Sequence, residues 1–588
     1  MTASIILARL QALQTLLANN KLDGFLIPHN DPHQNEYIPT YWDRRTWICG
    51  FDGSNGDLLV MQNQIILWTD GRYTLQAQKQ LAGLPITILE QKKSITQDIA
   101  QWLLEQNQPY HLGVDPQTIS LHNAQLLSKT LHHVNGKLIP MNSVVDSLWL
   151  DKPKPLKSHA FALSHYPGMS ARNKIQWLLN TMLSDGIKAI VLNTLDDIAW
   201  LFNIRGHDIP YSPVCISYAL ITTSSATWFV DLDQIDAQLK SYCESQNILL
   251  QPYTDFQKIV GEFEGTLGMD HNQASWWMAI QAKKATIESY TNPIILKKST
   301  KTDGEIAGIA QAHQQDAIAL IQFLFWLETH WQEGITEWDA AKYLNQCRFN
   351  TQDNQGLSFN TISGFGSNGA IVHYRVEQQS AATIDDSSFY LIDSGGQYTT
   401  GTTDVTRVVH LGVPTAQQKC DYTLVLKGHI DLAKIKFPKG TTGTALDAIA
   451  RQYLWNASLN FSHGTGHGVG YFLNVHEGPC RISPNGALAL QPGMVLSNEP
   501  GLYREGAYGI RIENLQAVVP YEKNTFGEFY QFKTLTLVPY ARHLIEVMML
   551  TENQIQWIND YHHTVYNTLS PHCSEPLKKW LKQATLPL

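Results

Sequence analysis

The sequence predicts a multidomain chain of α/β and α+β class, with two related N-terminal α/β domains followed by a larger C-terminal domain. Three observations lead there. A length of 588 residues exceeds what one hydrophobic core ordinarily serves. A pattern of strands and turns in the first 70 residues recurs after residue 185. Five potential metal ligands, Asp393, Asp404, His467, Glu499 and Glu513, all fall in the last third of the chain.

The first element is an amphipathic helix. In IILARLQALQTLLANN the apolar residues recur at helical spacing and are interrupted by Arg9, Gln11 and Gln14, which a signal peptide would not tolerate. The segment KLDGFLIPHNDPHQNEY and then WICGFDGSNGDLLVMQNQIILWTDGR give an Asp-Gly, an apolar strand, an aromatic-Gly element and two more strands. DGIKAIVLNTLDDIAWLFNIRG and CISYALITTSSATWFVDL repeat that order, with Asp23 matching Asp185, Leu26 matching Ile190 or a near neighbour, and Gly50 matching Gly206. The separator DKPKPLKSHA is rich in Pro and Lys and reads as a linker. Domains are therefore expected at 1–152 and 153–300. Neither carries a set of metal ligands, so each is expected to serve recognition, assembly or the walling of a cleft.

The third domain, 301–588, opens with TDGE, where Thr302 and Glu305 can form a capping box. Ile306, Ile309, Ala310, Ala317, Leu320, Ile321, Leu324 and Leu327 then recur at intervals of three and four, which predicts a long helix packed on a sheet. SSFYLIDSGG reads as a buried strand ending at Asp393, and Thr402 to Leu411 as a second strand. Its period of two puts Asp404 and Thr406 on one face, so a hairpin brings Asp393 and Asp404 together. GMVLSNEPG delivers Glu499 from a strand into a Pro-Gly turn, and alternation in GIRIEN puts Arg511 and Glu513 on one face. Glycines in HGTGHGVG argue against a helix, so only one of His463 and His467 need bind metal. TENQIQWINDYHHTVYNTLSP and PLKKWLKQA give a closing helix and a short tail, whose Trp557, Tyr561 and Trp580 are expected to dock on this domain or on another subunit.

Asp393, Asp404, His467, Glu499 and Glu513 form the candidate ligand set. Singly, each has a plain structural explanation as a turn residue, a hydrogen-bonded core histidine or half of an ion pair. Together, five ionisable groups ending or lining apolar strands would each cost several kcal/mol if buried alone. Cations remove that cost. Four carboxylates and one imidazole are too many for one ordinary site and suit two divalent ions sharing bridging carboxylates. Oxygen-rich ligation favours Mn(II), with Zn(II) and Co(II) also compatible. Arg511 either offsets part of the negative charge or clamps a substrate carboxylate with its forked donors.

LIDSGG, GTTDVTR, HGTGHGVG with NVHEGP after it, NEPG and GIRIEN together resemble the metallopeptidases of the pita-bread fold, and more narrowly the long, three-domain aminopeptidase P family. The resemblance covers roughly 300 to 550 without a gap in any motif. It implies that Asp393 chelates one metal, that His467 and Glu499 hold the other, and that Asp404 and Glu513 bridge them. It also implies that Glu499 is the general base for the metal-activated water, and that His463 is a shuttle or substrate contact outside the ligand set. His373 in GAIVHY and His476 in NVHEG match the family's histidines flanking the scissile bond and the proline pocket. The expected activity is removal of the N-terminal residue from peptides with proline second. A prolidase-type Xaa-Pro dipeptidase, a methionine aminopeptidase and a non-catalytic pita-bread peptide-binding protein are the rivals. The duplicated N-terminal domain, the length and the full ligand set speak against them.

A net charge of -9 and a pI near 6.2 exclude a polybasic nucleic-acid binder. No window reaches the 18 or so apolar residues of a membrane span. Cys49, Cys215, Cys243, Cys347, Cys420, Cys480 and Cys573 are odd in number and lack a Cys-x-x-Cys pair, which suits a reducing, cytoplasmic setting. The family resemblance and the general prevalence of two-fold assemblies point to a homodimer.

Overall fold

The two N-terminal repeats build two six-stranded sheets with the same strand order. In this computed structural model, which describes residues 2–163 and 165–588, the chain forms two units, Met1–Ile294 and Ile295–Leu588. Across the first sheet the strands run Thr87–Glu90, Ile65–Thr69, Asp57–Met61, Gly24–Ile27, His111–Val114 and Lys137–Pro140. Across the second they run Ile248–Pro252, Ala226–Val230, Ser217–Thr222, Ala189–Leu192, Gly265–Met269 and Ala285–Ser289. In each, the first-formed strand pairs antiparallel with a meander on one side and parallel with a helix-connected strand on the other.

The register refines the predicted counterparts. Phe25 and Ile190 each lie opposite a glycine of the parallel neighbour, Gly113 and Gly268, so Leu26 corresponds to Val191. Gly50 corresponds to Asn203 and not to Gly206. Both close a helix in the left-handed conformation, Gly50 at φ 82° after Arg44–Cys49 and Asn203 at φ 54° after Leu195–Phe202. Asparagine tolerates that conformation better than most residues, so the same turn is written with a different letter. The two sheets are tied within one unit by the buried His33, whose Nδ1 lies 2.9 Å from the Asn193 carbonyl and whose Nε2 lies 3.1 Å from the Tyr253 hydroxyl.

The second unit begins as its capping box predicts. Thr302 Oγ1 accepts from the Glu305 amide at 3.2 Å, and the helix Asp303–His330 follows. Its stripe, including Leu320, Phe323 and Leu327, packs on Tyr390 and Ile392 of the strand Phe389–Ser394. Each fully buried side chain of this kind contributes about 2 kcal/mol. Phe389–Ser394 is the centre of a three-stranded sheet between Ile362–Phe365 and Val405–His410. A six-stranded sheet runs Lys436–Pro438, Gly527–Thr534, Asn514–Asn524, Val495–Asn498, Gly466–Gly468 and Glu477–Ile482. The closing helices are Glu552–Leu569 and Glu575–Ala584. Trp557, Tyr561 and Trp580 dock on this unit itself: Trp557 lies against Tyr540 with ring centroids 6.3 Å apart, the Tyr561 hydroxyl donates to the Val538 carbonyl at 2.8 Å, and Trp580 Nε1 donates to Glu328 at 2.6 Å.

Two predicted strands are broken where they carry ligands. The expected strand from Thr402 to Leu411 is instead Gly401–Thr402 in one sheet and Val405–His410 in another. Thr403 causes the switch, because its amide donates to the Gly396 carbonyl and its hydroxyl accepts from the Gly396 amide, both at 2.9 Å. Glu513 likewise lies between Tyr508–Arg511 and Asn514–Asn524 and not inside a strand.

Candidate metal centre

Every candidate ligand sits at the end of a strand or within a very short one. Asp393 is the penultimate residue of Phe389–Ser394, and Gly395 just after the strand admits close backbone approach, since a Cβ there would lie 2.0 Å from the Thr403 carbonyl oxygen. Asp404 immediately precedes Val405–His410. His467 is the middle residue of Gly466–Gly468, with no helix there, as the glycines predict. A Cβ on Gly466 would meet the Ser497 carbonyl at 2.0 Å, so glycine is what lets this strand reach the next. Glu499 follows Val495–Asn498, and its amide donates to the Thr465 carbonyl at 2.8 Å.

These elements bring ligand atoms of Asp404, His467 and Glu513 within 4.8 Å of one another. His467 Nε2 lies 3.5 Å from Asp404 Oδ2 and 3.3 Å from Glu499 Oε1. Its Nδ1 lies 3.0 Å from the Gly468 carbonyl, which turns the other ring nitrogen toward the carboxylates. Glu513 Oε2 accepts from Thr406 Oγ1 at 2.8 Å. Asp393 Oδ2 accepts from Arg511 Nη2 at 2.6 Å.

The electrostatics are those of crowded, buried anions. Burial, then Asp393 and Glu499, push the Asp404 carboxyl well above its ordinary range. Burial, then Asp404 and Glu499, do the same to Glu513. Burial also raises Glu499, against the pull of His467 and Arg511. Asp393 Oδ1 and Glu513 Oε1 are buried with no hydrogen-bond partner among the described residues. Free carboxylate oxygens, mutual repulsion and one imidazole aimed at them are what two divalent cations would satisfy, so the residues fit such a pair.

Around the ligands lie the other predicted residues. The His476 ring stands edge-on to His467, with centroids 4.4 Å apart. His463 Nε2 lies 2.8 Å from the Tyr503 hydroxyl, and its Nδ1 lies 2.8 Å from the Gly464 carbonyl. His373 lies in irregular chain between Ala370 and Ile384. Arg511 is 2 % exposed, and it donates to Asp393, the Val372 carbonyl, Thr406 and Tyr503. Four hydrogen bonds turn its fork toward the protein. Of its two expected roles, the geometry therefore supports charge offset and not a substrate clamp.

Three groups near the centre escaped the sequence reading. Tyr503 links His463 to Arg511, its hydroxyl accepting from Arg511 Nη1 at 2.6 Å and lying 2.8 Å from His463 Nε2, and burial raises that hydroxyl to about 12. Its place in the strand after NEPG was the available signal. Lys301 pairs with Glu477, directly beside His476, and both are buried. Arg407, also 2 % exposed, donates to the carbonyls of Thr406, Glu513, Val538 and Pro539 and to Asn514 and Tyr561. It joins the backbones that carry Asp404 and Glu513 to the closing helix. Behind it, His429 lies 2.9 Å from the Tyr540 hydroxyl, and His562 Nε2 accepts from the Tyr540 amide at 3.1 Å.

Residues 307–520 match metallopeptidase family M24, and 528–588 match the C-terminal region of peptidase M24. Residues 9–148 and 151–305 each match the creatinase/prolidase N-terminal domain. A probable Xaa-Pro aminopeptidase P of Ajellomyces capsulatus is 38% identical over 99% of both chains. The chain belongs to the aminopeptidase P family of M24 metallopeptidases. A second aminopeptidase P relative, from Aspergillus niger, is 38% identical over 99% of this chain and 98% of its own. Within the same family, the crystal structure of an X-prolyl aminopeptidase from Caenorhabditis elegans, described as a cytosolic enzyme with a di-nuclear active site, superposes with a TM-score of 0.93. That enzyme is 32% identical, with both chains fully covered. The expected fold, two creatinase-type domains followed by a pita-bread domain, is thus the fold of this aminopeptidase P family member.

Proposed function

We propose that this chain is a metal-dependent aminopeptidase that releases the N-terminal residue from peptides with proline at the second position. The observation that carries the reading is the convergence of Asp404, His467 and Glu513 within 4.8 Å, with Glu499 against His467. Two divalent cations, when bound, supply Lewis acidity that acidifies water and polarises the scissile carbonyl. Asp393, Asp404, His467, Glu499 and Glu513 would hold them, Asp404 and Glu513 between the two. Glu499 takes the proton of the attacking water and returns it to the departing proline nitrogen. His373 and His476 donate hydrogen bonds to the oxyanion and bound peptide, and His463, whose Nδ1 and Nε2 lie 2.8 Å from the Gly464 carbonyl and the Tyr503 hydroxyl, is a substrate contact beside them. Arg511 holds Asp393 in place and offsets the charge of the cluster.

The donor set is rich in oxygen, which supports Mn(II). A homodimer, a cytoplasmic setting and division at 152 and 300 complete the proposal. The matches over 9–148, 151–305 and 307–520 support that division. The test is mass spectrometry of products after manganese loading. Xaa-Pro-Yaa tripeptides should lose one residue at least as fast as Xaa-Pro dipeptides are cleaved, and N-acetylated tripeptides should be inert. Preference for the dipeptide would make it a prolidase, and cleavage inside a blocked peptide would end the exopeptidase reading. Light scattering at micromolar concentration should give twice the 66.2 kDa chain mass.

A further inference from the structure

The segment that carries His373 has almost no regular structure of its own. From Gly366 to Thr383 it contains one 3-10 turn, Gly366–Ala370, and no strand pairing beyond a single bridge between Thr336 and Thr383. Something other than a backbone ladder must fix it.

That role falls to one carboxylate. Glu337 is the first residue of the helix Glu337–Phe349 and is 0 % exposed. Its Oε1 accepts from the Phe365 amide at 2.6 Å and from Asn368 Nδ2 at 3.0 Å. Its Oε2 accepts from the Tyr374 hydroxyl at 3.0 Å and from the Ala382 amide at 2.9 Å. The entry, the middle and the exit of the segment therefore converge on one side chain. Glu337's own amide donates to the Ala382 carbonyl at 2.9 Å, so the exit is held twice.

His373 is bracketed by this arrangement. The residue after it, Tyr374, is held by Glu337, and the carbonyl of the residue before it, Val372, accepts from Arg511 Nη2 at 3.3 Å. No Lys or Arg forms an ion pair with Glu337 among the described residues. Its charge is supported by four donor groups and by the N-terminus of its helix. All of its neighbours are donors, so glutamine, which must present an NH₂ group, cannot replace it cleanly.

We propose that Glu337 is a positioning residue for the reaction, acting by holding the 366–383 segment so that His373 meets the substrate. The inference rests on the role given to His373 above. It is tested with four metal-loaded enzymes: the parent, Glu337→Gln, His373→Ala and the double variant. Glu337→Gln should keep both metals by elemental analysis and lose roughly 10- to 100-fold in kcat on an Xaa-Pro-Yaa tripeptide, with KM within about threefold. In the His373→Ala background the same substitution should change kcat by less than about twofold, because there is no imidazole left to position. Losses that multiply in the double variant, or loss of metal in Glu337→Gln, overturn the proposal. Impairment of His373→Ala with a fully active Glu337→Gln overturns it while leaving His373's role intact, whereas a fully active His373→Ala removes that role and the proposal together. If Glu337→Gln does not fold, Tyr374→Phe removes one of the four contacts. Its smaller loss must also vanish in the His373→Ala background, and persistence there refutes the positioning role.

Discussion

His562 gives the clearest quantitative handle on the support behind the metal centre. It is buried, and burial, then Arg542 and Arg407, depress its imidazole to about 3. An unfolded histidine titrates near 6.5. Below that value the unfolded chain takes up a proton that the native ring refuses, so stability is complete above pH 6.5 and is lost progressively as pH falls toward 3. At pH 5.5 the loss from this one group is about 1.4 kcal/mol, and the figure hardly depends on where near 3 the native value lies. His562→Gln should remove this contribution to the pH dependence while its side-chain oxygen still accepts from the Tyr540 amide. The assay is urea unfolding of parent and variant at pH 7.5 and 5.5. The variant starts less stable at pH 7.5 but should fall by about 1.4 kcal/mol less between the two pH values. Other buried histidines, including His429, which burial depresses to about 3, contribute equally to both proteins and cancel. Equal declines would refute the reasoning, because they would mean that His562 is protonated in the native protein.

Asp404→Asn should bind one metal less by elemental analysis and lose nearly all turnover, since a neutral amide bridges two cations poorly; two metals with parental kcat would remove Asp404 from the bridging set. His463→Ala should retain both metals while kcat falls by about 10²-fold, as a substrate contact is lost and the cluster is not; a missing metal would mean that His463 is a ligand after all. Lys301→Met removes the cation facing the buried Glu477 and should cost about 3–5 kcal/mol in denaturant unfolding. A cost under about 1 kcal/mol would show that the pair contributes little to stability.

What could be read from the sequence follows from the range of the physics involved. Asp393, Glu499 and the two histidines of HGTGHGVG were legible because each sits in a local punctuation of glycine or proline at a strand end. The helix Asp303–His330 was legible because its cap and its stripe are both local. The sheet switch at Asp404 was not, since it depends on Thr403 pairing back to Gly396. Lys301, Glu337 and Arg407 were hidden because each reaches partners far along the chain, Lys301 across 176 residues to Glu477. No period or motif marks such a pair. In the sequence Gly206 matches Gly50 because glycine is the usual residue for a left-handed cap, whereas Asn203, which serves that geometry in the fold, carries no such mark.

The Lys301–Glu477 pair decides where this gene can be cut. A fragment starting at Thr302 would look natural, since the capping box begins there, yet it would discard the ammonium and strand a carboxylate in the interior next to His476. A fragment starting at Ile295 keeps it. At the other end, the reach of Arg407 to Pro539 and Tyr561 means that the closing helices cannot be trimmed as a tail without loosening the strands that present Asp404 and Glu513. Truncations and insertions are therefore better placed at exposed turns such as the one around Phe526, between Asn514–Asn524 and Gly527–Thr534, than at either apparent edge of the unit.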